Sequence, residues 1–469
     1  MIPGRLVVPV LRWSADTGFA HEEAAIAEAL ELGAGGFILF GGTVEAVSAL
    51  TTELTRRAGR PLLIGSDLER GAGQQVDGLT ELPPPRALAA LDDLDAVRWA
   101  GAVTGAQARV VGINWVFAPV ADLDVLPENP IVQTRAFGAD PEAVARNVRA
   151  WIEGCQAAGA LACAKHYPGH GRTARDSHLT LPVVDASAEA LRADEQPFAE
   201  AVQAGVTSVM TAHVAYPALD PSGAPATLSP AILGHLRTGL GFDGLVVTDA
   251  LIMEGAHAGR SEGEAAVEAV RAGVDVLLYP KDVAAVCAAL DEAIATGRIT
   301  AGRAVEAERR YQAALARVAR TAPMPPRGPY ESADRLADAL LDRGLQRGTP
   351  PKLAGPIELT VVDDDLGGPY PPSGSGYVEA ALARRGLVGT GGARVVLVFA
   401  EPRAWKGRAG LGGAAQATLA RVAPGAALVV LFGHPRLTAE IPGAAPVLVA
   451  WHRQRLMQEA VARWLGARA

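Results

Sequence analysis

The chain has 469 residues, 49% of them hydrophobic, enough for two domains or for one large domain with an appendage. Its formal net charge of −8, without any basic run, argues against a nucleic-acid-binding surface. Three cysteines, Cys155, Cys163 and Cys287, give no disulfide framework. No Cys-x-x-Cys or His-Glu-x-x-His spacing occurs, so neither a metal nor a cofactor is expected.

The N-terminus is a short apolar run broken by Pro3 and Pro9. It lacks the charged lead, long apolar core and cleavage site of a secretory signal, and no apolar run is long enough to span a bilayer. These features lead us to expect a cytoplasmic protein with no membrane partner.

Short apolar runs alternate with helical segments from the start. The runs are Leu6–Val10, Phe37–Phe40, Pro61–Ile64, Trp115–Pro119, Ala160–Ala164, Ser208–Ala212, Leu245–Thr248 and Val276–Tyr279. Each is apolar on both faces, as parallel strands covered by helices should be. Helical periodicity falls between them at His21–Leu32, Val44–Arg57, Leu94–Val110, Pro141–Ala158, Ser187–Ala204, Pro230–Leu236 and Gly263–Ala272. Eight strand–helix units over about 300 residues is the count of a (β/α)8 barrel, with a doubly wound open sheet as the structural alternative.

Two amphipathic helices, Asp282–Thr296 and Ala301–Arg320, close the unit. Thr321–Tyr330 is proline-rich and reads as a linker, and Ser332–Arg347 reads as a helix. Beyond it, apolar runs at Ile357–Val362, Arg394–Phe399, Ala427–Leu431 and Val447–Ala450 combine with helical Gly412–Val422 and Gln454–Leu465. The expected organisation is a catalytic barrel over residues 1–320, a linker with a helix over 321–352, and a smaller, mostly parallel α/β layered domain over 353–469.

In a barrel, active sites lie at the C-terminal ends of the strands. There the chain carries Asp67 and Glu69, Asp122 and Asp124, Lys165 and His166, His213, and Asp249, in strand order from the third to the seventh. The fifth run opens into a loop broken by Pro168, Gly169 and Gly171, and that loop also holds His170, Asp176 and His178. Titratable groups dense on a loop after a strand mark a site rather than a scaffold. A carboxylate at a buried strand end is costly unless hydrogen-bonded or used, so Asp249 is either the cap of the next helix or a nucleophile or base. Asp176 and His178 alternate, so on an extended loop they point the same way, and a carboxylate beside imidazole tunes a general acid/base.

The run Lys165–Gly171 followed by Asp176–Pro182 resembles glycoside hydrolase family 3, and within it the β-N-acetylglucosaminidases. Val247–Ala256, Phe117–Asp122, Asn129–Pro130, Thr134–Gly138 and Gly36–Gly41 carry the same resemblance. It covers about residues 1 to 320 strongly, and the tail resembles the C-terminal domain of two-domain members. The resemblance implies that Asp249 is the nucleophile of a covalent glycosyl-enzyme and that His178 is the acid/base, with Asp176 as its partner. It implies substrate-binding roles for Asp67, Arg135, Lys165, His166 and His213, and a terminal β-linked N-acetylglucosamine of cell-wall fragments or chito-oligosaccharides as the carbohydrate partner.

A histidine donor titrates near neutrality without help and leaves no negative charge beside the departing group. An anionic acceptor such as phosphate could therefore attack the intermediate as readily as water, so a phosphorylase could share these residues with a retaining hydrolase. Two rivals stand outside this chemistry: a silent sugar-binding protein, and a barrel isomerase or aldolase using Lys165 as a Schiff base. Departures from the family pattern are Ala72 and Gln75 in place of two arginines after the third strand, with Arg70 nearby, and Arg172 on the loop.

Overall fold

The structure is a computed structural model that describes residues 3–174, 180–321, 328–329, 331–353, 355–368 and 372–469. Contacts divide it into two compact units. The first is Met1–Thr80 with Val97–Leu126 and Ala136–Gly328, and the second is Glu81–Ala96 with Pro127–Arg135 and Pro329–Ala469.

The first unit is a closed parallel barrel. Its strands are β1 (Val7–Val8 and Val10–Arg12, interrupted at Pro9), β2 (Gly36–Phe40), β3 (Leu63–Ser66), β4 (Trp115–Val116), β5 (Leu161–Tyr167), β6 (Ser208–Thr211), β7 (Leu245–Val247) and β8 (Leu277–Leu278). Each pairs in parallel with the next. Val247 bridges to Val276, and β8 pairs back onto β1 through Val7–Leu277 and Val8–Leu278. That closure excludes the open doubly wound sheet and gives the (β/α)8 barrel.

Why these segments form helices is local. Thr43, Asp140, Ser187, Ser261 and Asp282 each cap a helix by accepting an N–H three residues on, at Val44–Ala58, Pro141–Ala157, Ala188–Gln203, Glu262–Ala272 and Val283–Ala295. Such a cap contributes about 1 kcal/mol.

The interior is packed. Val8, Ile38, Leu63, Trp115, Phe117, Leu161, Cys163, Met210, Leu245, Val247, Val276 and Leu278 form one buried cluster, with Val10 and Phe40 against it. Gly65 completes this floor, because a methyl there would fall 2.5 Å from the Phe117 ring. Side chains alternate along a strand, so the next inward positions above Gly65, Cys163 and Val247 are Asp67, Lys165 and Asp249. A floor of small and apolar groups thus carries a charged layer at the mouth.

Several strands differ from the expected ranges, and two of the departures, at β5 and β4, shape the site. β5 runs on to Tyr167, so Lys165 and His166 lie within the strand and not after it. Its pairing with β6 shifts register between Lys165 and Tyr167, the kind of irregularity that re-aims side chains beside active sites. β4 stops at Val116, ahead of Pro119, which has no N–H to donate.

The second unit is a five-stranded sheet flanked by helices. Its strands are β9 (Leu345–Arg347), β10 (Ile357–Asp363), β11 (Ala393–Ala400), β12 (Leu428–Gly433) and β13 (Val447–Val449), in the order β9-β13-β12-β11-β10. All pairs are parallel except β9 with β13. The helix expected over Ser332–Arg347 is corrected here: it spans Ala333–Asp342, turns at Gly344, and gives way to β9. A side chain at Gly344 would come within 2.7 Å of the Val449 carbonyl, so the tight approach needs glycine. A helix at Tyr377–Ala383 also appears that the periodicity did not show.

Segments 81–96 and 127–135 join this unit through specific bonds. Gln454 donates to the Leu82 carbonyl (2.7 Å), Arg343 to Leu91 (2.6 Å) and Arg436 to Pro127 (2.9 Å). At the C-terminal end of the sheet, the buried Arg453 pairs with Asp363 at 2.9 Å and Asp365 at 2.8 Å, and Lys406 reaches Asp365 at 2.5 Å.

Candidate active site

The charged layer of the barrel mouth is assembled from four strands. Lys165 extends its ammonium from β5 to Asp67 Oδ1 at 2.6 Å and Glu69 Oε1 at 2.7 Å. Both carboxylates follow β3, two strands away in the ring. An ammonium gripped by two carboxylates is a positioned cation and hydrogen-bond donor, which speaks against a free amine forming a Schiff base.

His166 is fixed by Asp122, which follows β4. Asp122 is fully buried and accepts three N–H groups: His166 N at 3.1 Å, His170 N at 2.7 Å and the His166 ring Nδ1 at 2.7 Å. Burial alone would raise this carboxyl, but the His166 ring and the N–H donors hold it below the usual carboxylate range. The carboxylate fixes the proton on Nδ1 of His166 and leaves Nε2 facing Asp249 Oδ2 at 4.0 Å.

Asp249 follows β7 with 22% of its side chain exposed. Its Oδ1 accepts the Ala250 N–H at 2.7 Å. His213 lies behind it, fully buried, with Nδ1 against Thr227 Oγ1 at 2.8 Å and Nε2 donating to the Ala250 carbonyl at 3.1 Å. Burial lowers the His213 pKa, so the ring is neutral. Both of its nitrogens are engaged by protein, and it braces the Asp249–Ala250 peptide.

The loop after β5 is anchored at its root. His170 is buried with Nδ1 against Thr173 Oγ1 at 2.8 Å, and burial, with His166 nearby, pushes its pKa down to about 4. Gly171 packs so tightly that a methyl would sit 1.8 Å from the Leu123 carbonyl oxygen. Arg172 is drawn aside by Asp194 at 2.6 Å, so this extra cation serves the loop. Asp176 and His178 lie outside the described residues. Where the loop resumes, Thr180 and Leu181 line a groove of about 590 Å³ with Ser222, Glu254 and Arg260.

Asp67, Lys165, His166 and Asp249 are therefore brought together, with His213 behind. Arg135 belongs to the second unit, in the Gln133–Arg135 turn, where its guanidinium reaches the Ile131 carbonyl at 3.5 Å. Gln75 accepts the Gly41 N–H at 3.1 Å, Ala72 is fully buried, and the Arg70 backbone donates to Gln74 at 2.9 Å. Sequence reasoning placed Glu69 and Asp122 at strand ends but gave them no role. Only the fold shows that they neutralise Lys165 and orient His166. Among the described residues, no group of three or more His, Cys, Asp or Glu could hold a metal ion.

A closed (β/α)8 barrel with carboxylates, an ammonium and an oriented imidazole around its C-terminal mouth is the layout of a polar-substrate barrel enzyme. Residues 14–319 match the glycosyl hydrolase family 3 N-terminal domain, and the chain belongs to that family. A β-N-acetylglucosaminidase/β-glucosidase of Cellulomonas fimi is 38% identical over 292 residues, covering 60% of this chain and 51% of that protein. The chain thus spans about half the length of that relative. A β-hexosaminidase of Chromobacterium violaceum is 38% identical over 288 residues, covering 58% of this chain and 80% of that protein. The solved family 3 β-N-acetylglucosaminidase of Paenibacillus sp. str. FPU-7 superposes with a TM-score of 0.84 at 28% identity, covering 99% of this chain and 96% of that one. No helix among the described residues is long and apolar enough to cross a membrane.

Proposed function

We propose that this chain is a retaining exo-β-N-acetylglucosaminidase. The observation that carries the reading is the Asp249 carboxylate, inward-facing at the end of β7 and opposite the oriented ring of His166 at 4.0 Å, in a barrel whose named relatives act on such glycosides. Asp249 attacks the anomeric carbon while His178, partnered by Asp176, protonates the departing oxygen. His178 then takes a proton from water, which attacks the same carbon and frees Asp249. Lys165, Asp67 and His166 hold the sugar hydroxyls. His213 supports the nucleophile's backbone from behind the site.

Turnover of aryl β-N-acetylglucosaminide against aryl β-glucoside tests this reading. His178→Ala should lower kcat by about 10²–10⁴-fold, the usual contribution of a positioned acid/base. Asp249→Asn should abolish turnover and the covalent adduct seen by mass spectrometry. Undiminished turnover by Asp249→Asn would overturn the assignment.

Phosphorolysis by the same residues is the second reading. It is favoured by the histidine in the donor position, which puts no negative charge in the path of an anionic acceptor. Release of sugar 1-phosphate as the main product in phosphate buffer would decide for it.

A further inference from the structure

Across the ring from Lys165 stands a second cation that the proposed mechanism does not use. Arg12 ends β1, two residues past the inward-facing Val10 and in register with Phe40. Its guanidinium lies 4.6 Å from the centre of the Phe40 ring and 5.4 Å from that of Tyr279. Nη2 donates to the Tyr279 hydroxyl at 2.7 Å.

Tyr279 follows β8 with φ of +51°, a left-handed conformation uncommon for a bulky side chain and a mark of functional sites when the surroundings enforce it. Those surroundings are two backbone bonds. The Tyr279 N–H donates to Val8 at 2.9 Å, and its carbonyl accepts from Ile252, three residues past Asp249, at 3.1 Å. Arg12, Phe40 and Tyr279 are all half-buried.

The two mouth cations differ in how their charge is met. Lys165 is neutralised twice, by Asp67 and Glu69. Among the described residues, the Arg12 guanidinium has no carboxylate partner. The nearby Glu22 spends Oε1 on the Arg12 backbone N–H at 2.9 Å and faces His21 at 3.5 Å. A half-desolvated cation on two aromatic faces, with one of its five N–H groups committed to a neutral hydroxyl, is an arrangement that an incoming negative group completes. The planar fork matches the oxygens of a carboxylate or phosphate.

We propose that Arg12, held in place by Phe40 and Tyr279, is an oxyanion-binding residue of the barrel mouth. It takes a phosphate or carboxylate that enters on the saccharide, or inorganic phosphate serving as the glycosyl acceptor. The saccharide arm rests on the glycosidase reading above. In the acceptor arm, an oxygen of the phosphate dianion bonds to the anomeric carbon as the bond to Asp249 breaks. In that step the Asp249 carboxylate is restored and the sugar 1-phosphate leaves as its monoanion.

The test is calorimetric titration of the full chain at fixed ionic strength with sodium phosphate, with N-acetylglucosamine 6-phosphate and with neutral N-acetylglucosamine. Wild type should bind at least one of the two anions. Binding of free phosphate assigns the acceptor source, and binding of the sugar phosphate alone assigns the saccharide. Arg12→Ala should weaken the bound anion at least tenfold. Arg12→Lys should weaken it less, and Tyr279→Phe should fall between wild type and Arg12→Ala. The proposal is overturned if wild type binds neither anion, or if Arg12→Ala, shown folded by its melting curve, binds them as wild type does. Failure to cleave any aryl β-N-acetylglucosaminide would sink the glycosidase reading while leaving this titration to stand or fall by itself.

Discussion

Replacing Asp122 with asparagine isolates what a buried carboxylate does for the site. Oδ1 already accepts the backbone N–H groups of His166 and His170, and an amide oxygen at that position keeps both bonds. The change falls on Oδ2, which becomes an N–H donor pointed at the His166 Nδ1–H 2.7 Å away. The ring must lose that bond or switch tautomer, which puts the proton on Nε2 toward Asp249. One hydrogen bond to a charged partner contributes about 1.5–3 kcal/mol, and at about 1.4 kcal/mol per factor of ten the expected fall in kcat/KM is roughly 10- to 150-fold. The assay is initial-rate turnover of an aryl β-N-acetylglucosaminide, with the melting temperature as a check on folding. Asp122→Asn within twofold of wild type would refute the claim that this carboxylate sets the His166 ring. Because the folded-state pKa of Asp122 is depressed, its stabilisation is present above the ordinary aspartate range near pH 4 and is lost as pH falls through the lower folded value. Asp122→Asn should therefore also flatten the acid limb of the stability curve.

His170 gives a pH dependence of the same sign in a higher window. Its ring stays neutral in the fold down to about pH 4, whereas the unfolded chain takes up the proton near 6.5, so stability should drop by about 3 kcal/mol between those values and His170→Asn should remove that slope in urea titrations. Gly171→Ala forces a methyl against the Leu123 carbonyl, a backbone atom with nowhere to go. A loss of about 1–3 kcal/mol and a fall in kcat are expected, and an unchanged melting temperature would count against the anchored loop root. In the second unit, Arg453→Ala takes its cation from Asp363 and leaves Asp365 with Lys406, and should cost about 3–5 kcal/mol, read as a lowered denaturant midpoint.

The barrel was legible because its strands are buried on both faces. Leu161–Ala164 and Ser208–Thr211 are buried throughout, and largely apolar runs announce such strands. The same logic misplaced the end of β5. Lys165 and His166 look like the start of a loop, yet the strand continues because Asp67 and Glu69 pair with the Lys165 ammonium and Asp122 bonds the His166 ring. Those partners lie 98 and 44 residues away for Asp67 and Asp122, so no local pattern announces them. Strand β9 was hidden for a related reason. It is three residues long and polar, and its pairing with Val447–Val449 is distant in sequence. Arg12 escaped notice because the apolar run ends before it, while its meaning comes from Phe40, on another strand, and Tyr279, just past a third.

The small-residue floor of the barrel has a practical corollary. Cys163 sits directly beneath Lys165, where burial pushes its thiol up to about 12. Cys287 is raised to about 11, and burial lifts Cys155 as well. A protonated, enclosed thiol does not react with alkylating reagents, since the thiolate is the nucleophile and contact with solvent is required. The chain thus carries a native stopwatch. Timed labelling of Cys163, read by peptide mass spectrometry, counts openings of the barrel at the position under its charged layer, without any engineered probe. Ligands that close over the mouth should slow that count in proportion to how tightly they bind.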